Sequence, residues 1–247
     1  MSVHTPHNYQ AELERGCYAA WASGARNVLA VLPTGGGKTF VFSRIAAACQ
    51  SAVCSIAHRS ELVGQMSVAL AREAVRHRVI GPPALARLCA QLQTEEFGRH
   101  FVDPNARVAV AGVDTLTRMN AATDPWFAQV GLWIQDEAHH VLDANKWGRA
   151  CAMFPNAYGL GVTATPVRAD GKGLGRHADG LMDALVVGPS MRELIGRGFL
   201  TDYRVFAPPS DIDLSHVNVT AGGDFNHDAL KKARRKSRIT GDVVKHY

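Results

Sequence analysis

The feature that most restricts the fold of this chain is the octet Leu32-Pro-Thr-Gly-Gly-Gly-Lys-Thr39. It stands between an apolar run at 27–32 and a segment of helical spacing at 38–50. Three consecutive glycines let backbone N–H groups converge on an anion without interference from Cβ atoms. The start of the following helix adds its dipole and its unpaired donors. Strand, tight loop at 33–37 and helix, in that order, form the context that a phosphate-binding loop requires. Pro33, Thr34, Gly35, Gly36 and Gly37 then make the cradle, Lys38 reaches the β- and γ-phosphates, and the Thr39 hydroxyl holds Mg²⁺. The octet departs from the usual pattern at one place, because Leu32 stands where a glycine six residues before the lysine is common. Taken alone, the octet is also compatible with a glycine-rich turn before a helix.

Periodicity extends the reading along the chain. Strands are expected at 27–32, 52–57, 107–111, 132–136, 158–163 and 203–206, and helices at 8–23, 38–50, 60–77, 83–93, 113–120, 145–153 and 190–197. Alternation of this kind predicts an α/β fold with a parallel sheet covered by helices on both faces. The 247 residues allow one large domain, or one domain and an appendage, at roughly 150 residues per domain. The pattern breaks at Pro208, Pro209 and Ser210, which divides the chain into a main domain, 1–207, and a linker with a basic helix, 208–247. Residues 168–180 are glycine-rich and read as a mobile loop, and a helix is expected from Asp224 to the end.

Composition excludes several classes. Hydrophobic residues make up 47% and charged residues 20%, which rules out disorder as the dominant state. The five cysteines, Cys17, Cys49, Cys54, Cys89 and Cys151, are scattered and never form CxxC, which argues against a zinc ribbon or a disulfide framework. A reducing, cytoplasmic setting follows as the expectation. There is no signal-peptide pattern and no run of about 18 apolar residues, so a secreted or membrane-spanning chain is not expected. A net charge of +5 permits an anionic partner without naming one.

The second chemical feature is Asp136-Glu137-Ala-His139-His140, at the end of the expected strand 132–136. Acids at the carboxyl end of a strand sit where open α/β sheets bind ligands. Asp136 is suited to hold Mg²⁺ through its water shell, and Glu137 to polarise the attacking water. Glu137 and His140 also have the ExxH spacing of di-iron bundles, but no second ExxH exists. The histidine pair lacks the HExxH pattern and a nearby cysteine, so zinc is disfavoured.

With these two features, further segments fall in the order found in superfamily 2 helicases, the DEAD/DEAH-box relatives. Tyr9-Gln10 precedes the phosphate loop; Ala57-His-Arg-Ser-Glu-Leu-Val-Gly-Gln65 is similar to the family's motif Ia, and Ala111-Gly-Val-Asp-Thr-Leu-Thr-Arg118 to motif Ib. Asp136-Glu-Ala-His139 resembles motif II, and Thr163-Ala-Thr-Pro166 resembles motif III. The run 163–171 leans toward phage and bacterial DNA/RNA helicases of the repair-translocase type, with DNA favoured over RNA as partner.

The resemblance implies a RecA-like three-layer α/β/α fold that uses ATP and Mg²⁺. By position, Gln10 would hydrogen-bond adenine, while His139 with Thr163 and Thr165 would link the γ-phosphate site to nucleic-acid binding. Arg59 and Thr115 would contact the phosphodiester backbone, which carries no sequence information. Such helicases close ATP between two RecA-like domains, the second supplying arginine fingers from a motif resembling QxxGRxxR. That motif does not occur here, so the resemblance implies the first domain only. Arginine fingers are worth about 10³–10⁵ in turnover, so weak hydrolysis and no unwinding are expected of this chain alone. An ATP-gated nucleic-acid clamp is the alternative reading. The run 231–238, six cations in eight positions, is either part of such a clamp or a solvated linker helix.

Overall fold

The apolar runs form strands buried on both faces. The computed structural model describes residues 5–120, 124–168, 171–204, 213–218 and 226–236. Its strands are β1 (Asn27–Val31), β2 (Ala52–Ala57), β3 (His77–Ile80), β4 (Val108–Gly112), β5 (Val130–Asp136), β6 (Tyr158–Thr163) and β7 (Ala184–Val187). They form one sheet in the order β3-β4-β2-β5-β6-β1-β7, and every neighbouring pair is parallel. All five residues of β1 and all six of β2 are buried, as expected of parallel strands covered by helices on both sides.

Alternating side chains separate two cores. Val28 and Ala30 point to one, and Leu29 and Val31 to the other. The first face is covered by α1 (Asn8–Ala22), α2 (Lys38–Ala48), α3 (Ser60–Arg72) and α4 (Pro83–Phe97), which contribute Leu13, Phe42, Met66 and Cys89. The second face is covered by the short helices α5 (Val113–Leu116), α6 (Trp126–Gln129) and α7 (Lys146–Ala152). Trp126, Phe127 and Phe154 meet there with ring centroids 5.5–6.1 Å apart. Helices α8 (Met191–Gly196) and α9 (His227–Lys236) complete the described elements. Helices on both faces of a parallel sheet make the three-layer α/β architecture that the alternation predicts.

Two strands were not legible in the sequence. The segment expected as helix 60–77 ends at Arg72, because Ala74 takes a left-handed conformation (φ 54°) and Val75 packs against the core. His77 then starts β3, although Arg-Glu-Ala-Val-Arg holds no Gly, Asn or Pro to mark a helix stop. Strand β7 lies at an edge with alternating burial, and its four residues are too few for a periodic signal. The segment expected as a mobile loop is partly anchored: Leu174 and Ala178 are buried, and a short 3₁₀ turn spans Arg176–Ala178. Tyr203 and Arg204 carry no strand, and the remainder of the strand expected at 203–206 lies outside the described residues. The C-terminal helix spans His227–Lys236, with Asp224 and residues 237–247 outside them.

The chain divides into two compact units. One comprises Met1–Pro166 with Gly173–Leu200 and holds the whole sheet; the other comprises Val167–Lys172 with Thr201–Tyr247. All five cysteines are unpaired thiols, and burial pushes that of Cys17 up to about 12. Among the described residues, no helix is long and apolar enough to cross a membrane.

Candidate active site

Because all seven strands run the same way, one edge of the sheet collects all their carboxyl ends. The sequence-predicted site residues lie along that edge. The glycine loop follows β1, Arg59 follows β2, Thr115 follows β4, Asp136 and Glu137 end β5, and Thr163 ends β6. In the sheet order these strands run consecutively as β4-β2-β5-β6-β1.

The loop is shaped by its glycines. Gly35 (φ 81°) and Gly37 (φ 89°) adopt left-handed conformations that other residues take only at a cost. A Cβ on Gly37 would lie 2.3 Å from the Gln10 side-chain nitrogen, so a helix side chain closes the loop from behind. Pro33 and Gly36 close a turn through Gly36 N–H to the Pro33 carbonyl at 3.0 Å, leaving Thr34 and Gly35 exposed at the crest. Leu32 earns its place where a glycine is common. It is fully buried, its N–H donates to the Thr163 carbonyl at 3.1 Å, and its own carbonyl accepts from Lys38 Nζ at 3.3 Å. Lys38 and Thr39 are the first two residues of α2, whose N-terminus therefore opens at the loop.

The start of α1 supports the loop from the other side. Tyr9 Oη and Gln10 Nε2 each donate to the Gly36 carbonyl at 3.1 Å. Gln10 Oε1 accepts from the His7 backbone N–H at 3.0 Å, and the side chain is buried. The Gln10 amide thus binds the loop itself. Tyr9 meets Phe199 edge-on at 5.1 Å, and Phe199 also touches His7 at 4.7 Å. The sequence marks Tyr9 only as the neighbour of Gln10, and a lone phenylalanine at position 199 carries no local signal.

The acidic segment is held under strain. Glu137 adopts φ 51°, ψ 48°, a conformation that costs a non-glycine residue about 1–3 kcal/mol and persists only where neighbours enforce it. Its N–H donates to Asp136 Oδ1 at 2.9 Å, and its carbonyl accepts from His140 N–H at 3.1 Å. Burial raises the Asp136 carboxyl above the ordinary carboxylate range, against the N–H donation from Glu137 and the nearby charges of Lys38 and His139. The loop lysine and the acid therefore share one electrostatic site. His139 Nδ1 lies 3.3 Å from Glu137 Oε2 and 3.2 Å from Thr163 Oγ1. Thr163 in turn donates to the Thr165 carbonyl and accepts from the Thr165 N–H, both at 3.1 Å. Motif II, motif III and the phosphate loop are thus joined by direct hydrogen bonds.

These residues fit a magnesium nucleotide. Two left-handed glycines and a helix N-terminus suit phosphate oxygens, and the half-buried Asp136 carboxylate suits Mg²⁺, which keeps waters and phosphate as its other ligands. Among the described residues, no group of three or more His, Cys, Asp or Glu could hold a metal by itself. Arg59 is exposed and Thr115 half-buried, following strands that lie two and three places from β6 along the same edge.

Comparison with known proteins identifies the family and the fold. Residues 4–168 match the family described as Type III restriction enzyme, res subunit. The chain is 27% identical over 259 residues to IRC3 of Saccharomyces cerevisiae, assigned as an ATP-dependent helicase, covering 97% of this chain and 34% of that protein. It is 26% identical over 232 residues to the DNA 3'-5' translocase XPB2 of Sulfurisphaera tokodaii, covering 91% of this chain and 43% of that protein. The chain therefore spans well under half the length of these curated relatives. Among solved structures, the Hef helicase domain of Pyrococcus furiosus matches with a TM-score of 0.56 at 19% identity, over 81% of this chain and 41% of that one. The UvsW helicase of bacteriophage T4 matches with a TM-score of 0.52 at 17% identity, over 74% of this chain and 60% of that one. At these identities the structures speak for the shared fold.

Proposed function

The chain belongs to the family of the Type III restriction enzyme res subunit and carries the N-terminal RecA-like domain of a superfamily 2 helicase; from that premise we propose that it binds Mg-ATP and hydrolyses it in step with binding to a nucleic-acid backbone. The observation that supports this most is the convergence of Lys38, Asp136, Glu137, His139 and Thr163 on one sheet edge from three adjacent strands.

Each residue has a role in this reading. Pro33, Thr34 and the glycines 35–37 hold the phosphates through backbone N–H groups, and Lys38 neutralises their charge. Thr39 and Asp136 hold Mg²⁺, which when bound would polarise the phosphate oxygens. Glu137 orients and deprotonates the attacking water. Gln10 reads adenine, and its bond to the Gly36 carbonyl ties that reading to the loop. His139, Thr163 and Thr165 pass the state of the γ-phosphate site to the nucleic-acid side. Arg59 and Thr115 grip backbone phosphates. DNA is favoured over RNA, a preference supported by the activity that XPB2 is named for. A second RecA-like domain, joined through the segment 208–247, would supply the arginine fingers, so turnover by this chain alone is slow.

The test is Mg-ATP turnover with and without single- and double-stranded DNA and RNA, with Glu137→Gln as control. Stimulation by a polymer that disappears in Glu137→Gln is the expected result, and the polymer that stimulates names the substrate. Equal turnover by wild type and Glu137→Gln would refute the reading.

A further inference from the structure

The Glu137 carboxylate is held by less than a full hydrogen bond. A carboxylate only accepts, so the His139 Nδ1 that lies 3.3 Å from it carries the hydrogen. The same nitrogen lies 3.2 Å from Thr163 Oγ1, whose own hydrogen goes to the Thr165 carbonyl. That nitrogen is hydrogen-bonded to Thr163 and stands only within ion-pair distance of the Glu137 carboxylate.

A second imidazole stands nearby with its bonding incomplete. His58 is the residue after β2, and β2 is the strand beside β5 in the sheet. Its Nδ1 is buried and has no hydrogen-bond partner. A buried polar atom of this kind is rare and calls for a reason. The His58 ring packs edge-on against His140 at 5.6 Å; His140 lies 4.1 Å from His139 and stacks on Trp147 at 5.2 Å. The charged and titratable groups around the His58 ring come from three elements. Arg59 caps α3, Glu137, His139 and His140 follow β5, and Lys146 starts α7. Burial, together with Arg59, Lys146 and His139, favours the neutral ring, and Glu137 acts in the opposite sense. The residue next to His58 is Arg59, the expected backbone contact.

We propose that His58 is a positioning residue for Glu137: it gives the carboxylate the second hydrogen bond that His139 supplies only in part, and it does so when a nucleic-acid phosphate anchors Arg59. Fixing Arg59 on a phosphate fixes the turn between β2 and α3 that carries His58. Nucleic-acid binding then orients the water-activating carboxylate through one side chain. The proposal rests on the nucleic-acid-stimulated ATPase reading above.

The experiment uses the whole chain and a single-stranded DNA oligonucleotide. Oligonucleotide affinity is followed by fluorescence anisotropy, and ATP turnover is measured for wild type, His58→Ala and His58→Gln. His58→Ala lowers the stimulated kcat about tenfold or more, while the KM for ATP and the Kd for the oligonucleotide stay within about twofold. His58→Gln, whose amide N–H has similar reach, recovers most of the loss. Unchanged kcat in His58→Ala overturns the proposal, as does an equal loss in both variants with a lowered melting temperature. A second measurement needs no turnover. The ¹⁵N signal of the His58 ring shifts toward the hydrogen-bonded range on adding the oligonucleotide to wild type, and does not in Glu137→Ala. A signal that moves in both, or in neither, overturns the proposal. A wild-type chain that fails to bind the oligonucleotide in the anisotropy assay overturns the functional reading itself, and the role of His58 with it.

Discussion

Two histidine clusters in this molecule differ in how completely their hydrogen bonds are made. His77, at the start of β3, is fully buried with Ser67 and Gln93. Its Nδ1 donates to the Val75 carbonyl and its Nε2 accepts from Ser67 Oγ, both at 2.8 Å. Gln93 Nε2 donates to Ser67 Oγ at 2.7 Å, and Gln93 Oε1 accepts from Phe101 N–H at 2.6 Å. At the carboxyl edge, by contrast, His139 bonds Thr163 and only approaches the Glu137 carboxylate at 3.3 Å, and His58 Nδ1 and Gln135 Oε1 are buried without partners. The first cluster is saturated and fastens an edge strand to α3 and α4. The second keeps bonding capacity in reserve, beside a glutamate whose backbone is strained.

The two clusters should therefore respond in opposite ways to substitution. Removing the proposed base has the largest effect. Glu137→Gln should lower ATP turnover by about 10²–10⁴ while leaving the melting temperature and nucleotide binding nearly unchanged, as steady-state kinetics and thermal melts will report. His77→Ala should do the reverse. It leaves the Ser67 hydroxyl and the Val75 carbonyl without their partner at about 1–3 kcal/mol each, so unfolding free energy should fall by roughly 2–6 kcal/mol with turnover intact well below the melting point. His139→Ala removes one hydrogen bond, so turnover should fall about tenfold with little change in stability. If His139→Ala instead melts the protein as His77→Ala does, the distinction between the clusters fails.

The smallest effect is that of pH. Burial depresses the folded-state pKa of His77 below that of the unfolded chain, near 6.5. As pH falls, the unfolded chain takes up the proton first, so this contribution is complete above about pH 6.5 and declines below it. Denaturant melts at pH 7.5 and 5.5 should show the acid loss, and His77→Gln should reduce it.

Much of this was legible because the chemistry is local. The glycine octet is eight consecutive residues, and Asp136-Glu137 stands at the end of its strand, so local spacing brings both forward as candidates. Leu32 was legible as a departure but not as a solution. Only the fold reveals that its side chain fills the core while its backbone joins β6 and Lys38. Strand β3 was hidden because the left-handed Ala74 that ends α3 has no sequence marker, unlike the glycine that usually takes that conformation. The convergence of His58, His140 and Trp147 on the acidic segment was also hidden, because those residues come from separate elements that only the parallel sheet brings to one edge.

The central claim is that this edge is a Mg-ATP site built around Lys38. Isothermal titration of Mg-ATP into the wild-type chain and Lys38→Ala tests it most directly. Binding at one site is expected in wild type, and loss of that binding in Lys38→Ala. Wild-type protein that takes up no Mg-ATP, or binding that Lys38→Ala leaves unchanged, would contradict it.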